Sequence, residues 1–78
     1  MSWKRVHIEV RTIRVTFNAA HAQTRALPTQ ERGRAIAALV VRARALLQDV
    51  RQRASDGGGS IALLDAIDRA SEDVARAA

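Results

Sequence analysis

Residue types that commonly carry chemistry are scarce in this chain of 78 residues. It contains no cysteine and only two histidines, His7 and His21. A zinc site takes three or four Cys, His or carboxylate ligands, and here most of them would have to come from distant parts of the chain. The sequence therefore predicts no metal site, and we interpret both histidines as surface or edge residues.

A glycine-rich segment, Gly57–Ser60, is the next candidate, because backbone amides that open a helix can bind phosphate. A phosphate-binding P-loop needs a preceding strand and a following Lys, which are both missing here, and Asp56 would repel an anion. The same segment half resembles a nucleophile elbow, but Ala62 stands where that motif has its second glycine. The acids Asp65 and Asp68 have the spacing of an ordinary exposed helix. We predict a non-enzymatic protein without a cofactor.

The basic residues are numerous and unevenly distributed. Residues 1–54 contain eleven Lys or Arg and three acids, whereas residues 55–78 contain two Arg and five acids. Opposite fields within one small domain tend to compensate each other before they meet a partner. Trp and Arg are preferred anchors of interfaces. The predicted partner- or nucleic-acid-binding residues are Trp3, Lys4, Arg5, Arg11, Arg14, Arg42, Arg44 and Arg51.

The N-terminal segment, residues 4–17, alternates apolar with polar side chains and is rich in β-branched residues, which is typical of a half-buried β-strand. The alternation changes phase at Arg11-Thr12. Its apolar positions are Val6, Ile8 and Val10, then Ile13, Val15 and Phe17. A two-residue hairpin or a bulged strand would give this pattern. Arg-Thr is a poor sequence for a tight hairpin turn, so the pattern favours one long bulged strand.

Two helices are predicted after this strand. A polar connector over residues 18–29 leads to a long helix over residues 30–54, with Thr29 as its candidate N-cap. Apolar residues recur in this helix at spacings of three and four and form one predicted core stripe: Ile36, Leu39, Val40, Ala43, Leu46, Leu47, Val50 and Ala54. A Gly-rich loop over residues 55–60 interrupts the helical pattern. Ser60 can cap a second helix over residues 61–77. We expect the two helices to pack as an antiparallel hairpin.

These elements predict a single α+β domain over residues 1–78. A single strand cannot satisfy its own backbone hydrogen bonds, and oligomerisation is a common way to stabilise a small domain that lacks disulfides and metals. We therefore expect a homodimer in which two copies pair their strands across a twofold axis, forming a ribbon covered by helices.

Two functions fit this architecture. The first is a non-catalytic protein–protein interaction module, such as a small bacterial or phage-encoded inhibitor, adaptor or accessory subunit that binds a larger protein. The alternative is a dimeric DNA-binding regulator or antitoxin-like protein that uses a basic N-terminal ribbon. The order of elements resembles that of ribbon-helix-helix regulators, without a matching sequence motif. The position of the acidic second helix discriminates between them, because a helix beside the ribbon would cancel its field.

The predicted location is the cytoplasm. No apolar run approaches the ~18 residues of a membrane span, and no apolar block typical of a signal peptide follows Met1. The absence of cysteine is compatible with a reducing compartment. We expect no membrane partner.

Overall fold

A computed structural model describes residues 3–77, and each secondary-structure element in this range is helical. Helix α1 spans Trp3–Gln23 and continues into a 3-10 turn at Thr24–Ala26. Helix α2 spans Thr29–Asp56, and helix α3 spans Ile61–Arg76. Successive helices run antiparallel and pack into an elongated bundle of 44 × 16 × 15 Å.

The predicted α+β fold is wrong. The structure has no strand within residues 3–77, and residues 4–17 belong to α1. Neither the bulged strand nor the hairpin exists there, so the proposed ribbon across a dimer axis and the strand-helix-helix order are also wrong. A helix pairs its backbone donors and acceptors within the same segment, which removes the need for a partner strand.

The change of phase at Arg11-Thr12 arises because the apolar residues follow a helical repeat. Over these few positions, such a repeat produces the same pattern as an alternating strand with a bulge. Ile8 and Val15, which complete the apparent alternation, are both 58% exposed. The residues of this segment that face the other helices recur every three or four positions: Trp3, Val6, Val10, Ile13, Phe17, Ala20 and Thr24. Burial along a period of 3.6 residues thus outweighs the β-propensity of the branched side chains.

The connector predicted over residues 18–29 is mostly helical as well, since α1 extends to Gln23 and only two residues separate the 3-10 turn from α2. Arg32 closes this turn. Its guanidinium donates hydrogen bonds of 3.1–3.2 Å to three carbonyl oxygens, those of Thr24, Arg25 and Leu27. Carbonyls at the end of a helix lack intrahelical partners, so this arginine satisfies groups that the turn leaves free.

The turn between α2 and α3 depends on glycine. Gly58 has φ of +72°, a left-handed conformation that other residues rarely adopt. The indole of Trp3 lies against Gly57, where an added Cβ would come within 2.8 Å of the ring. The Ser60 hydroxyl accepts a hydrogen bond of 3.2 Å from the Leu63 amide and caps α3. The N-terminus of α1 is thereby packed against the α2–α3 turn.

The core consists of twelve buried apolar residues from all three helices. The largest fully buried side chains are Leu47, Val50, Leu63, Ile67 and Val74. Helix α3 has 16 residues and α2 has 28, so α3 ends well before the α1–α2 turn. The bundle therefore has a three-helix end, near the α2–α3 turn, and a two-helix end, near the α1–α2 turn. No helix within residues 3–77 is long and apolar enough to cross a membrane.

Candidate functional site

The two histidines lie about 21 Å apart along α1, at 1.5 Å per residue. His7 is exposed, and the His21 ring packs against Phe17 with 5.9 Å between ring centroids. Among residues 3–77 there is no group of three His, Cys, Asp or Glu side chains that could hold a metal ion. The Ser60 hydroxyl is engaged as the cap of α3.

Three of the four acids of α3 form ion pairs with arginines, and these arginines lie on all three helices. Two of these ion pairs join helices: Arg14 of α1 with Asp73, and Arg51 of α2 with Asp68. Two more lie within α3: Arg69 with Asp65, and Arg76 with Asp73. Helix α3 therefore lies beside the basic helices and partly cancels their positive field. Two predicted binding residues, Arg14 and Arg51, are already paired with carboxylates.

A second ionic cluster joins α1 to α2. The Arg53 guanidinium donates to the Glu9 carboxylate at 2.5 Å and contacts Asp49 at 3.2 Å. The hydrogen bond from Arg53 to Glu9, together with the negative charges of Glu9 and Asp49, raises the pKa of Arg53 above its ordinary value. An arginine is protonated throughout the physiological pH range in any case, so Arg53 stays positively charged beside these two acidic side chains.

The remaining predicted residues lie on different faces. Trp3 is half-buried against the core and Gly57, so it supports the fold at the three-helix end. Five predicted basic residues form no ion pair with an acid in the described part of the chain: Lys4, Arg5, Arg11, Arg42 and Arg44. Arg42 lines a groove between α1 and α2, whereas Arg44 lines a groove between α2 and α3. The structure does not gather the eight predicted residues into one site.

Two of the five basic residues share a stripe of α1 with exposed apolar side chains. Lys4, Ile8, Arg11 and Val15 follow one another at spacings of four, three and four, which places them on one side of a helix. All four side chains are exposed, and no acid belongs to this series. We call these four residues the outer stripe of α1. The strand prediction missed it because Ile8 and Val15 were assigned to a buried face.

A second surface lies on the side of α1 and α2 away from α3. Here a groove of about 370 Å³ is lined mainly by apolar residues, among them Ile13, Phe17, Leu39 and Leu46, with Arg42 at its margin. We call it the α1–α2 groove. The apolar period of α2 predicted that Leu46 belongs to the core stripe, but it is 46% exposed at this groove.

No protein-family model, curated protein or solved structure matches this chain. Its two candidate surfaces differ in chemistry. The outer stripe of α1 alternates cations with apolar side chains. The α1–α2 groove is apolar over most of its lining.

Proposed function

We propose that this protein is a non-catalytic interaction module that binds an acidic amphipathic helix of a larger protein through the outer stripe of α1. One observation supports this most directly. Ile8 and Val15 remain 58% exposed on a helix that buries other branched residues, and they alternate with Lys4 and Arg11. A partner helix that is complementary to this stripe presents two apolar contacts flanked by carboxylates.

The relative energies favour a protein partner over a nucleic acid. Complete burial of an Ile or Val side chain contributes about 1.5–3 kcal/mol, and these two are little more than half exposed, so each offers about 1–2 kcal/mol. An exposed ion pair contributes only ~0–1 kcal/mol. Affinity at this stripe therefore comes mainly from Ile8 and Val15, while Lys4 and Arg11 set orientation and association rate. Phosphate groups would leave the apolar contacts unused.

The DNA-binding alternative loses its main support in this fold. It depended on a basic ribbon, and residues 4–17 form a helix. It also depended on free cations, yet Arg14 and Arg51 pair with acids of α3. Duplex binding draws most of its affinity from many phosphate contacts. The five predicted basic residues without an ion pair, Lys4, Arg5, Arg11, Arg42 and Arg44, are not gathered into one surface that could supply them.

The proposal is tested with two displayed libraries of helical peptides that share one apolar stripe. One library flanks the stripe with Asp and Glu, and the other flanks it with Lys and Arg. We expect only the acidic library to yield binders. The double substitution Ile8→Ala/Val15→Ala should raise the Kd of selected peptides at least about tenfold, which corresponds to about 1.4 kcal/mol.

Val41→Ala is the matched control, because Val41 is 69% exposed on another helix and its loss should leave peptide affinity unchanged. Failure of the acidic library to enrich, or equal binding by the double variant, would overturn the proposal. Duplex DNA labelled for fluorescence anisotropy serves as the second probe. Sequence-dependent binding that survives about 200 mM salt and disappears with Arg11→Gln would also overturn it, in favour of nucleic acid.

A further inference from the structure

The α1–α2 groove faces solvent, whereas α3 covers the opposite side of the same helix pair. Residues 35–41 of α2 contain no polar side chain, and a helix that is apolar on all sides is normally buried on all sides. Near this segment Leu39 is half-buried and Leu46 is 46% exposed. The groove thus has room and apolar surface for one more helix.

The charges beside the groove are ordered so that an antiparallel second copy of the same stripe would match them. Arg42, Leu46 and Asp49 follow at spacings of four and three on the groove side of α2. Arg42 forms no ion pair with an acid in residues 3–77, and the Asp49 side chain is 70% exposed. Within residues 3–77, Asp49 forms one ion pair, with Arg53, and Arg53 also pairs with the closer carboxylate of Glu9. The order is positive, apolar, negative.

We infer that a second copy of this chain docks in the groove, with the two α2 helices antiparallel and Leu46 beside the twofold axis. In this arrangement Arg42 of each copy faces Asp49 of the other, since a twofold interface requires a self-complementary surface. Leu46 lies about 6 Å along the axis from Arg42 and about 4.5 Å from Asp49, at 1.5 Å per residue. The spacing is therefore nearly symmetric about Leu46.

Other arrangements of the two helices lack this match. A parallel pair would place Arg42 against Arg42 of the second copy, and like charges at close range oppose association. This dimer is formed by helices, unlike the strand-paired dimer predicted from the sequence. It uses a different side of α1 from the outer stripe, so it does not depend on the proposed function.

Sedimentation velocity of the full chain, at a series of concentrations up to about 100 µM, measures the association. The wild-type chain is expected to dimerise within this range. Arg42→Asp places two acids together, and Asp49→Arg places two arginines together, so each variant alone should dimerise at least about tenfold more weakly. In an equimolar mixture of the two variants, both facing pairs again join an acid to an arginine. The mixture should therefore form heterodimers.

Arg44→Asp is the matched control, because Arg44 lies on the α2–α3 side and this change should leave the dimer constant within about threefold. Circular dichroism and a melting curve of each variant establish that the bundle stays folded. A wild-type chain that stays monomeric throughout, or folded variants that do not associate on mixing, would overturn the inference. Equal dissociation by Arg44→Asp would overturn it too, because the effect would then follow net charge.

Discussion

The two sides of the α1–α2 pair differ in how completely their apolar residues are covered. Where α3 packs on the pair, Leu47, Leu63 and Ile67 are at most 1% exposed. Leu46 is the neighbour of Leu47 in the sequence but lines the α1–α2 groove on the opposite side, and it is 46% exposed. A helix pair can cover only the faces that meet each other. The third helix closes one side of the α1–α2 pair and leaves the other side free for binding.

The largest effect is expected at the three-helix end. Ile67→Ala should lower the free energy of unfolding by about 2–5 kcal/mol, because the fully buried side chain leaves a cavity. Ile61→Ala is the matched control on the same helix, where the side chain is 86% exposed, and it should cost under about 0.5 kcal/mol. Urea denaturation of both variants measures the difference. Similar costs would contradict the assignment of the core to α3.

A smaller effect is expected where α1 packs on the α2–α3 turn. Gly57→Ala places a methyl group 2.8 Å from the Trp3 ring, and such overpacking costs about 1–3 kcal/mol. Gly33→Ala is the control, because nothing lies within 4 Å of that position, and it should instead stabilise α2 by about 0.5–1 kcal/mol.

Denaturation of the Trp3→Ala/Gly57→Ala double variant identifies the cause of that effect. If the indole is the obstacle, the added methyl group costs much less in the absence of Trp3, and the two substitutions are not additive. Full additivity would show that the ring does not contact Gly57 in solution.

The smallest effect is expected at the two-helix end. Arg32→Ala removes the donor to three carbonyls of the α1–α2 turn, and water can replace part of these bonds, so the cost should be about 1 kcal/mol. Arg34→Ala removes an exposed arginine nearby and should change stability by less than about 0.5 kcal/mol. Thermal melts compare the two. A loss from Arg32→Ala as large as that from Ile67→Ala would mean that the turn, rather than the three-helix core, limits stability.

Helices α2 and α3 could be predicted from sequence because their signals are local. Apolar residues of α2 repeat at spacings of three and four, and the structure has a helix over Thr29–Asp56. The capping role expected of Ser60 is present, whereas Thr29 is the first helical residue and not the cap. Helix α1 could not be recognised from β-propensity, although the series from Trp3 to Thr24 carries a clear helical period.

The candidate surfaces were harder to predict. Lys4 and Arg11 were recognised as basic, but their alignment with Ile8 and Val15 appears only when the segment is helical. The exposure of Leu46 depends on which side of α2 the third helix covers. Periodicity alone assigns such a residue to the core, because it records apolar character and not the number of neighbouring helices.

The helical stripes of α2 and α3, the break at the glycines and the division into a basic part and an acidic part can all be read from the sequence. They follow from side-chain spacing and local backbone preferences. The packing of the three helices, in contrast, establishes which arginines the acids neutralise and which faces stay open. The Arg51–Asp68 contact joins residues 17 positions apart, and such a pair depends on the register of two packed helices, which no local pattern specifies.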